Sequence, residues 1–161
     1  MEKQILDVCC GSKMFWFDKD DPLTLFNDIR AEDIQLNDRT ISIAPDVMDD
    51  FCSLSHSDET FNMVVFDPPH LKKGGPKSWQ VAKYGKLSKR WKEDLKLGFS
   101  ECFRVLKDGG FLIFKWNETH IKVAELLELC DYVPLFGHPS GKRSNTHWIC
   151  FIKSDLKRKE S

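Results

Sequence analysis

The segment Gln4-Ile5-Leu6-Asp7-Val8-Cys9-Cys10-Gly11-Ser12 is an apolar run, interrupted by Asp7 and closed by a glycine turn. That pattern predicts a short buried strand running directly into a tight turn. Similar punctuation recurs along the chain. Leu23 to Arg30 follows the breaker Pro22 and reads as a second strand, and Thr40-Ile41-Ser42-Ile43-Ala44 is a β-branched strand stopped by Pro45. Phe61-Asn62-Met63-Val64-Val65-Phe66 is the clearest strand, stopped by Asp67-Pro68-Pro69, because prolines cannot donate to a sheet ladder. Trp91, Leu95, Phe99, Cys102 and Leu106 recur at helical spacing, which predicts a helix over 91–106. Asp108-Gly109-Gly110 ends that helix, and Phe111 to Trp116 is a fifth strand. A second helix over 121–129, capped by Asn117 or Thr119, precedes strands over 132–136 and 147–153, joined by a polar turn from Ser140 to Asn145. Strands alternating with helices make this an α/β chain, with a mostly parallel sheet and helices on both faces.

Length and composition narrow the functional classes. The 161 residues are about one domain's worth of chain, expected over 1–153, with a charged tail over 154–161 that should fray. Hydrophobic residues are 41% and charged residues 30%, an ordinary globular mix that argues against disorder. No run is long and apolar enough for a membrane span, and Met1-Glu2-Lys3-Gln4 does not resemble a signal peptide. The six cysteines form no C-x-x-C pair and mostly sit in apolar stretches. They read as reduced thiols, with no metal site and no disulfide frame, which leads us to expect a cytoplasmic protein.

In sheets of this kind, ligands bind at the carboxyl ends of the strands. Four successive predicted strands carry an aspartate at or near that end: Asp7, Asp28, Asp46 and Asp67. Asp28 follows Asp7 by 21 residues, the interval at which an acidic residue meets ribose hydroxyls in nucleotide-binding folds. Charge is also unevenly placed. Residues 1–60 hold fourteen acidic against five basic side chains, and residues 61–161 hold eleven against nineteen. The densest basic stretch, Lys72 to Lys92, contains Lys83 and Lys86 among eight cations and no acid, with Trp79, Tyr84 and Trp91 interleaved. Aromatics beside cations suit bases beside phosphates, whereas cations alone fit a solvated loop.

These motifs resemble those of the Rossmann-like S-adenosylmethionine methyltransferases. Asp7 to Ser12 is similar to the D-P-x-x-G-S-G turn of the amino-methylating branch, and Asp67-Pro68-Pro69-His70 to its [DNS]-P-P-[aromatic] tetrapeptide. Arg104-Val105-Leu106-Lys107-Asp108-Gly109-Gly110 resembles the R-V-L-K-P-G-G turn of the wider family. The resemblance spans about Ile5 to Phe151 and implies a seven-stranded sheet ending in an antiparallel hairpin. It implies S-adenosyl-L-methionine as cofactor, held by Asp7, Cys9, Gly11, Asp28 and Asp46, the last at the end of strand three beside the adenine amino group. It implies a catalytic set of Asp67, Pro68, Pro69 and His70. The Asp67 carboxylate and Pro68 carbonyl would accept the hydrogens of a target amine, and His70 would stack on the target base. Lys13 stands where the third glycine would be, and only a short first helix fits, over 14–18.

The expected substrate is an exocyclic amine of a nucleic-acid base, adenine N6 ahead of cytosine N4, in DNA or RNA. Lys83, Lys86, Lys115, Lys142 and Arg143 are the candidate substrate contacts. For Lys115, strand-end packing is the competing reading, and for Lys142 and Arg143 a plain polar hairpin. The alternatives are methylation of a small molecule or a protein amide, and a non-catalytic nucleic-acid-binding subunit, against which the intact Asp67-Pro68-Pro69 argues.

Overall fold

The computed structural model describes residues 1–161 except Pro76, Ser140, Lys142 and Arg143. Seven strands form the main sheet: β1 (Ile5–Asp7), β2 (Thr24–Asp28), β5 (Val47–Met48), β6 (Phe61–Phe66), β7 (Leu106–Asn117), β8 (Phe136–Pro139) and β9 (Thr146–Ile152). Their spatial order is β5-β2-β1-β6-β7-β9-β8, and β9 pairs antiparallel to both of its neighbours. The chain leaves β1 toward β2 on one side and returns to β6 on the other. The switch point therefore lies at the carboxyl ends of β1 and β6, where ligands bind in such sheets.

The core lies on one face. Leu6, Val64, Phe66, Leu112, Phe114, Trp116 and Phe151 point to it and are fully buried. Helix α2 (Trp91–Val105) closes it with Leu95, Phe99, Cys102 and Phe103, and α3 (Val123–Glu128) contributes Leu126. Each fully buried Leu or Phe contributes roughly 1.5–3 kcal/mol of transfer free energy. The opposite face is covered by irregular chain between Cys10 and Pro22, where the T-shaped pairs Phe15–Trp148 and Trp16–Phe26 form. Among the described residues no helix is long and apolar enough to cross a membrane.

Several local expectations are corrected, among them the strand expected over 132–136, which forms as β8 over Phe136–Pro139. The helix over 14–18 does not form. Gly11 and Lys13 both adopt positive φ (50° and 54°), a conformation that stops a helix from starting, and Trp16 turns inward to a buried partner. Thr40–Ile43 is a strand (β4), but it pairs with β3 (Glu32–Gln35) in a separate two-stranded sheet. The third parallel strand is instead the two-residue β5, so Asp46 precedes that strand and does not end it. The tail docks: Val133 N–H donates to Lys157 O at 2.7 Å and Lys159 N–H to Asp131 O at 2.7 Å.

Candidate active site

The turn after β1 is fastened at both ends. Gly11 N–H donates to Asp28 Oδ2 at 2.8 Å, and Cys10 N–H donates to Asn27 O at 2.8 Å. Gly11 is held at positive φ, and its Cβ-free side meets no atom within 4 Å, so the turn presents bare backbone to open space. Buried Asn27 donates to Val8 O at 2.9 Å and Asp49 O at 3.3 Å, which ties together the ends of β1, β2 and β5.

Asp7 stands behind this turn. It is fully buried, accepts from Trp16 Nε1 at 2.7 Å and from Cys9 N–H at 3.3 Å, and does not line the cavity at the switch point. Burial pushes its carboxyl up to about 7, against the Trp16 hydrogen bond, which pulls it down. The folded state thus keeps a proton that the unfolded chain releases. Stability from this group falls as pH rises from about 4 toward 7. Trp16→Phe removes the donor that holds the ionised form. Its cost should be ~1–3 kcal/mol at pH 8 and smaller at pH 5, where Asp7 is protonated. Urea unfolding at both pH values checks this, and an equal loss at both would contradict it.

A cavity of about 220 Å³ opens at the switch point. Its wall is built from the Cys9–Ser12 turn, the carboxylates of Asp28 and Asp49, Phe51, the Asp67-Pro68-Pro69-His70 loop, and Tyr84. The donor set fits S-adenosylmethionine. Two carboxylates can accept from hydroxyls and an exocyclic amine, bare backbone allows close approach, and Ile29, Phe51 and Met14 offer apolar surface to a ring and a thioether. Asp46 is not in this wall. Its Oδ2 accepts from Phe26 N–H at 2.9 Å and its N–H donates to Phe26 O at 2.7 Å, so it is spent on the backbone of β2. Asp49, directly after the third strand, lines the cavity instead, and its Oδ2 accepts from both N–H and Oγ of Ser55. Cys9 and Cys10 also line the cavity, and burial raises both thiols, Cys10 to about 12, so neither is a nucleophile at neutral pH.

A second cavity, about 280 Å³, shares Asp67, His70, Tyr84 and Lys115 with the first. Its remaining wall includes Trp79, Gln80, Asn117, Thr119, His120 and Thr146. His70 lies 5.4 Å from the Tyr84 ring and 6.2 Å from Trp116. Burial, with Lys115 and His120 nearby, lowers its imidazole to about 4, so it is a neutral ring at pH 7. Burial raises the Asp67 carboxyl, opposed by Lys115, whose Nζ donates to Asp67 Oδ2 at 2.8 Å. Lys115, expected to contact substrate, lines both cavities and is paired with Asp67.

The basic segment forms a cover over both cavities. Its helix α1 (Trp79–Tyr84) is anchored by Arg30 Nη1, which donates to Ala82 O at 3.0 Å, and the start of the segment by Lys72 N–H, which donates to His120 Nδ1 at 3.1 Å. Gly85 ends the helix at φ +74°, where an added Cβ would stand 3.2 Å from Pro69 Cγ. Lys83 and Lys86 line the first cavity. Lys83 also lies over the rings of Tyr84 (5.0 Å) and Trp79 (5.8 Å), while Lys86 donates to Gly74 O at 3.1 Å. Beyond the cover, a groove of about 1000 Å³ between α1 and the β3–β4 hairpin is lined by Lys19, Arg39, Lys77, Trp79 and Lys83. Lys142 and Arg143 lie outside the described residues. Sequence reasoning missed Asp49, Arg30 and the polar wall of the second cavity. Of these, only Asp49 had a local signal, its place directly after the apolar pair Val47-Met48.

No protein-family model matches the chain, and no curated protein does either. Solved structures do. The PH0226 protein of Pyrococcus horikoshii superposes with a TM-score of 0.61 at 16% identity, over 96% of this chain and 83% of that one. A SAM-dependent methyltransferase of Methanosarcina mazei gives 0.54 at 17% identity, over 92% and 91%. A SAM-dependent methyltransferase of Thermotoga maritima, described as a possible histamine N-methyltransferase, gives 0.50 at 13% identity, over 96% and 84%. The chain thus has the Rossmann-like α/β fold found in S-adenosylmethionine-dependent methyltransferases.

Proposed function

We propose that this chain is an S-adenosylmethionine-dependent N-methyltransferase acting on an exocyclic amine of a nucleic-acid base, adenine N6 ahead of cytosine N4. The observation that carries the proposal is the position of the Asp67-Pro68-Pro69-His70 loop, which lines the first cavity and whose Asp67 and His70 also line the second. Asp28 and Asp49 would hold the cofactor in the first, and the second would receive the acceptor. S-adenosylmethionine, when bound, supplies a methyl group on a sulfonium sulfur, so the protein's main task is positioning. An exocyclic amine is a poor nucleophile because its lone pair is delocalised into the ring. Asp67 and the Pro68 carbonyl accept its hydrogens and localise that pair. Pro68 and Pro69 hold both acceptors in place before binding. Neutral His70, with Tyr84 and Trp79, offers flat surfaces to a base. The groove, with Lys19, Lys77 and Lys83 in its wall and Arg39 paired to Asp38, reaches the acceptor cavity at Trp79, an arrangement that suits a polynucleotide backbone.

Incubation with methyl-labelled cofactor and separate pools of DNA, RNA and protein tests this reading. Label should enter a nucleic-acid pool, and nucleic-acid affinity should fall steeply with salt. Replacing Lys83 and Lys86 together should flatten that slope by about two phosphate contacts. Label confined to protein or small molecules would overturn the nucleic-acid assignment.

A further inference from the structure

Asp67 and Lys115 form an ion pair in the wall between the two cavities. Phe66 pairs with Phe114 in the parallel β6–β7 ladder, so Asp67, directly after β6, stands beside Lys115 within β7. The Lys115 ammonium sits 5.2 Å from the Phe15 ring centroid and 5.6 Å from that of Trp148, a setting that favours a cation and restricts its swing. Both side chains are about four-fifths covered, 21% and 18% exposed, so the pair is shielded from solvent in a way a surface pair is not. Lys115 occupies Oδ2, and among the described residues no donor reaches Oδ1.

We infer that Lys115 is a positioning residue that selects a neutral acceptor nitrogen: it neutralises Asp67, leaves Oδ1 free to accept, and fills the place where a substrate's ammonium would otherwise sit. The inference rests on the N-methyl transfer reading above. An alkylamine reaches the site protonated at neutral pH, without a lone pair, and would be drawn to a bare carboxylate. Beside Lys115 it meets a like charge instead. A base amine or an amide arrives neutral and needs only an acceptor.

The titratable groups around Asp67 are Lys115 on β7, Asp7 and Cys9 from β1 and its turn, His70 on its own loop, Lys83, Tyr84 and Lys86 from the cover, His120 on the second cavity, and Asp28, Arg30 and Asp49 on the first. Of these, Lys115 is the partner that opposes the effect of burial on Asp67. Its removal should leave the carboxyl to titrate at higher pH.

The test follows the Asp67 carboxyl by carbon-detected NMR through a pH titration, with the signal assigned by its loss in Asp67→Asn. The titration midpoint should rise by at least about one pH unit in Lys115→Met and stay within about half a unit in Lys115→Arg. Thermal unfolding checks the fold, and Lys115→Gln carries the same titration if the Met variant does not fold. This readout needs no acceptor. An unchanged midpoint in a folded variant overturns the positioning role. With an adenine-containing oligonucleotide and Nα-acetyl-lysine as competing acceptors, Lys115→Met should shift preference toward the alkylamine at least about tenfold. A shifted midpoint with unchanged preference overturns the selection. If the wild-type chain methylates no nucleic acid while the midpoint still shifts, only the nucleic-acid reading fails.

Discussion

Asp67→Ala is expected to lower methyl-transfer turnover by at least ~100-fold while cofactor affinity changes by less than about threefold, below roughly 0.7 kcal/mol. The reason is where Asp67 sits. It follows β6 directly, is fixed by Pro68 and Pro69, and faces both cavities, with Oδ2 held by Lys115. Its hydrogen bond to an amine strengthens as the nitrogen becomes tetrahedral. An interaction made mainly in the transition state affects turnover more than ground-state binding. Asp67→Asn keeps one carbonyl acceptor and should retain part of the activity. Single-turnover kinetics beside calorimetric cofactor titration separates the two quantities. Wild-type turnover in Asp67→Ala, or a defect confined to cofactor binding, would contradict the assignment.

The second large effect concerns the cofactor. Asp28→Ala should weaken S-adenosylmethionine binding by ~1–3 kcal/mol, roughly 5- to 150-fold. It removes a carboxylate from the cavity wall and also releases Gly11 N–H, which shapes the turn. Asp46→Ala should behave differently. Its carboxylate serves Phe26 N–H at the edge of β2, so the expected loss is about 1 kcal/mol of stability, with affinity within threefold of wild type. Calorimetric titration together with urea unfolding of both variants distinguishes a cavity residue from a backbone clamp. Equal losses of affinity in the two would place Asp46 back in the cofactor site.

Some of this was legible from sequence because the signal is local. β6 and the Phe111–Phe114 stretch of β7 are apolar runs, as expected for central parallel strands, and the D-P-P-H tetrapeptide marks its own position at a strand end. The partner of Thr40–Ile43 was misjudged although a cue was present. Thr40 and Ser42 are exposed while Ile41 and Ile43 are buried, the alternation of an antiparallel pair with one wet face. The real third strand, Val47–Met48, is too short to show any period, and this moved the third aspartate from Asp49 to Asp46. Phe15-Trp16-Phe17 carries no helical spacing, and its conformation follows from a buried carboxylate nine residues upstream of Trp16. The Asp67–Lys115 pair joins residues 48 apart through the β6–β7 register, which no motif or spacing in the chain encodes.

In the proposed reaction a methyl group crosses the wall at Asp67 onto an exocyclic amine. Mass spectrometry of nucleosides, after reaction of DNA and RNA with deuterated-methyl S-adenosylmethionine, tests it most directly. The deuterated methyl is expected on adenine N6, or failing that on cytosine N4, and is expected to be lost in Asp67→Ala. A methyl group on a ring nitrogen, a carbon or a ribose oxygen, or one still transferred to the same amine at wild-type rate without Asp67, would contradict it.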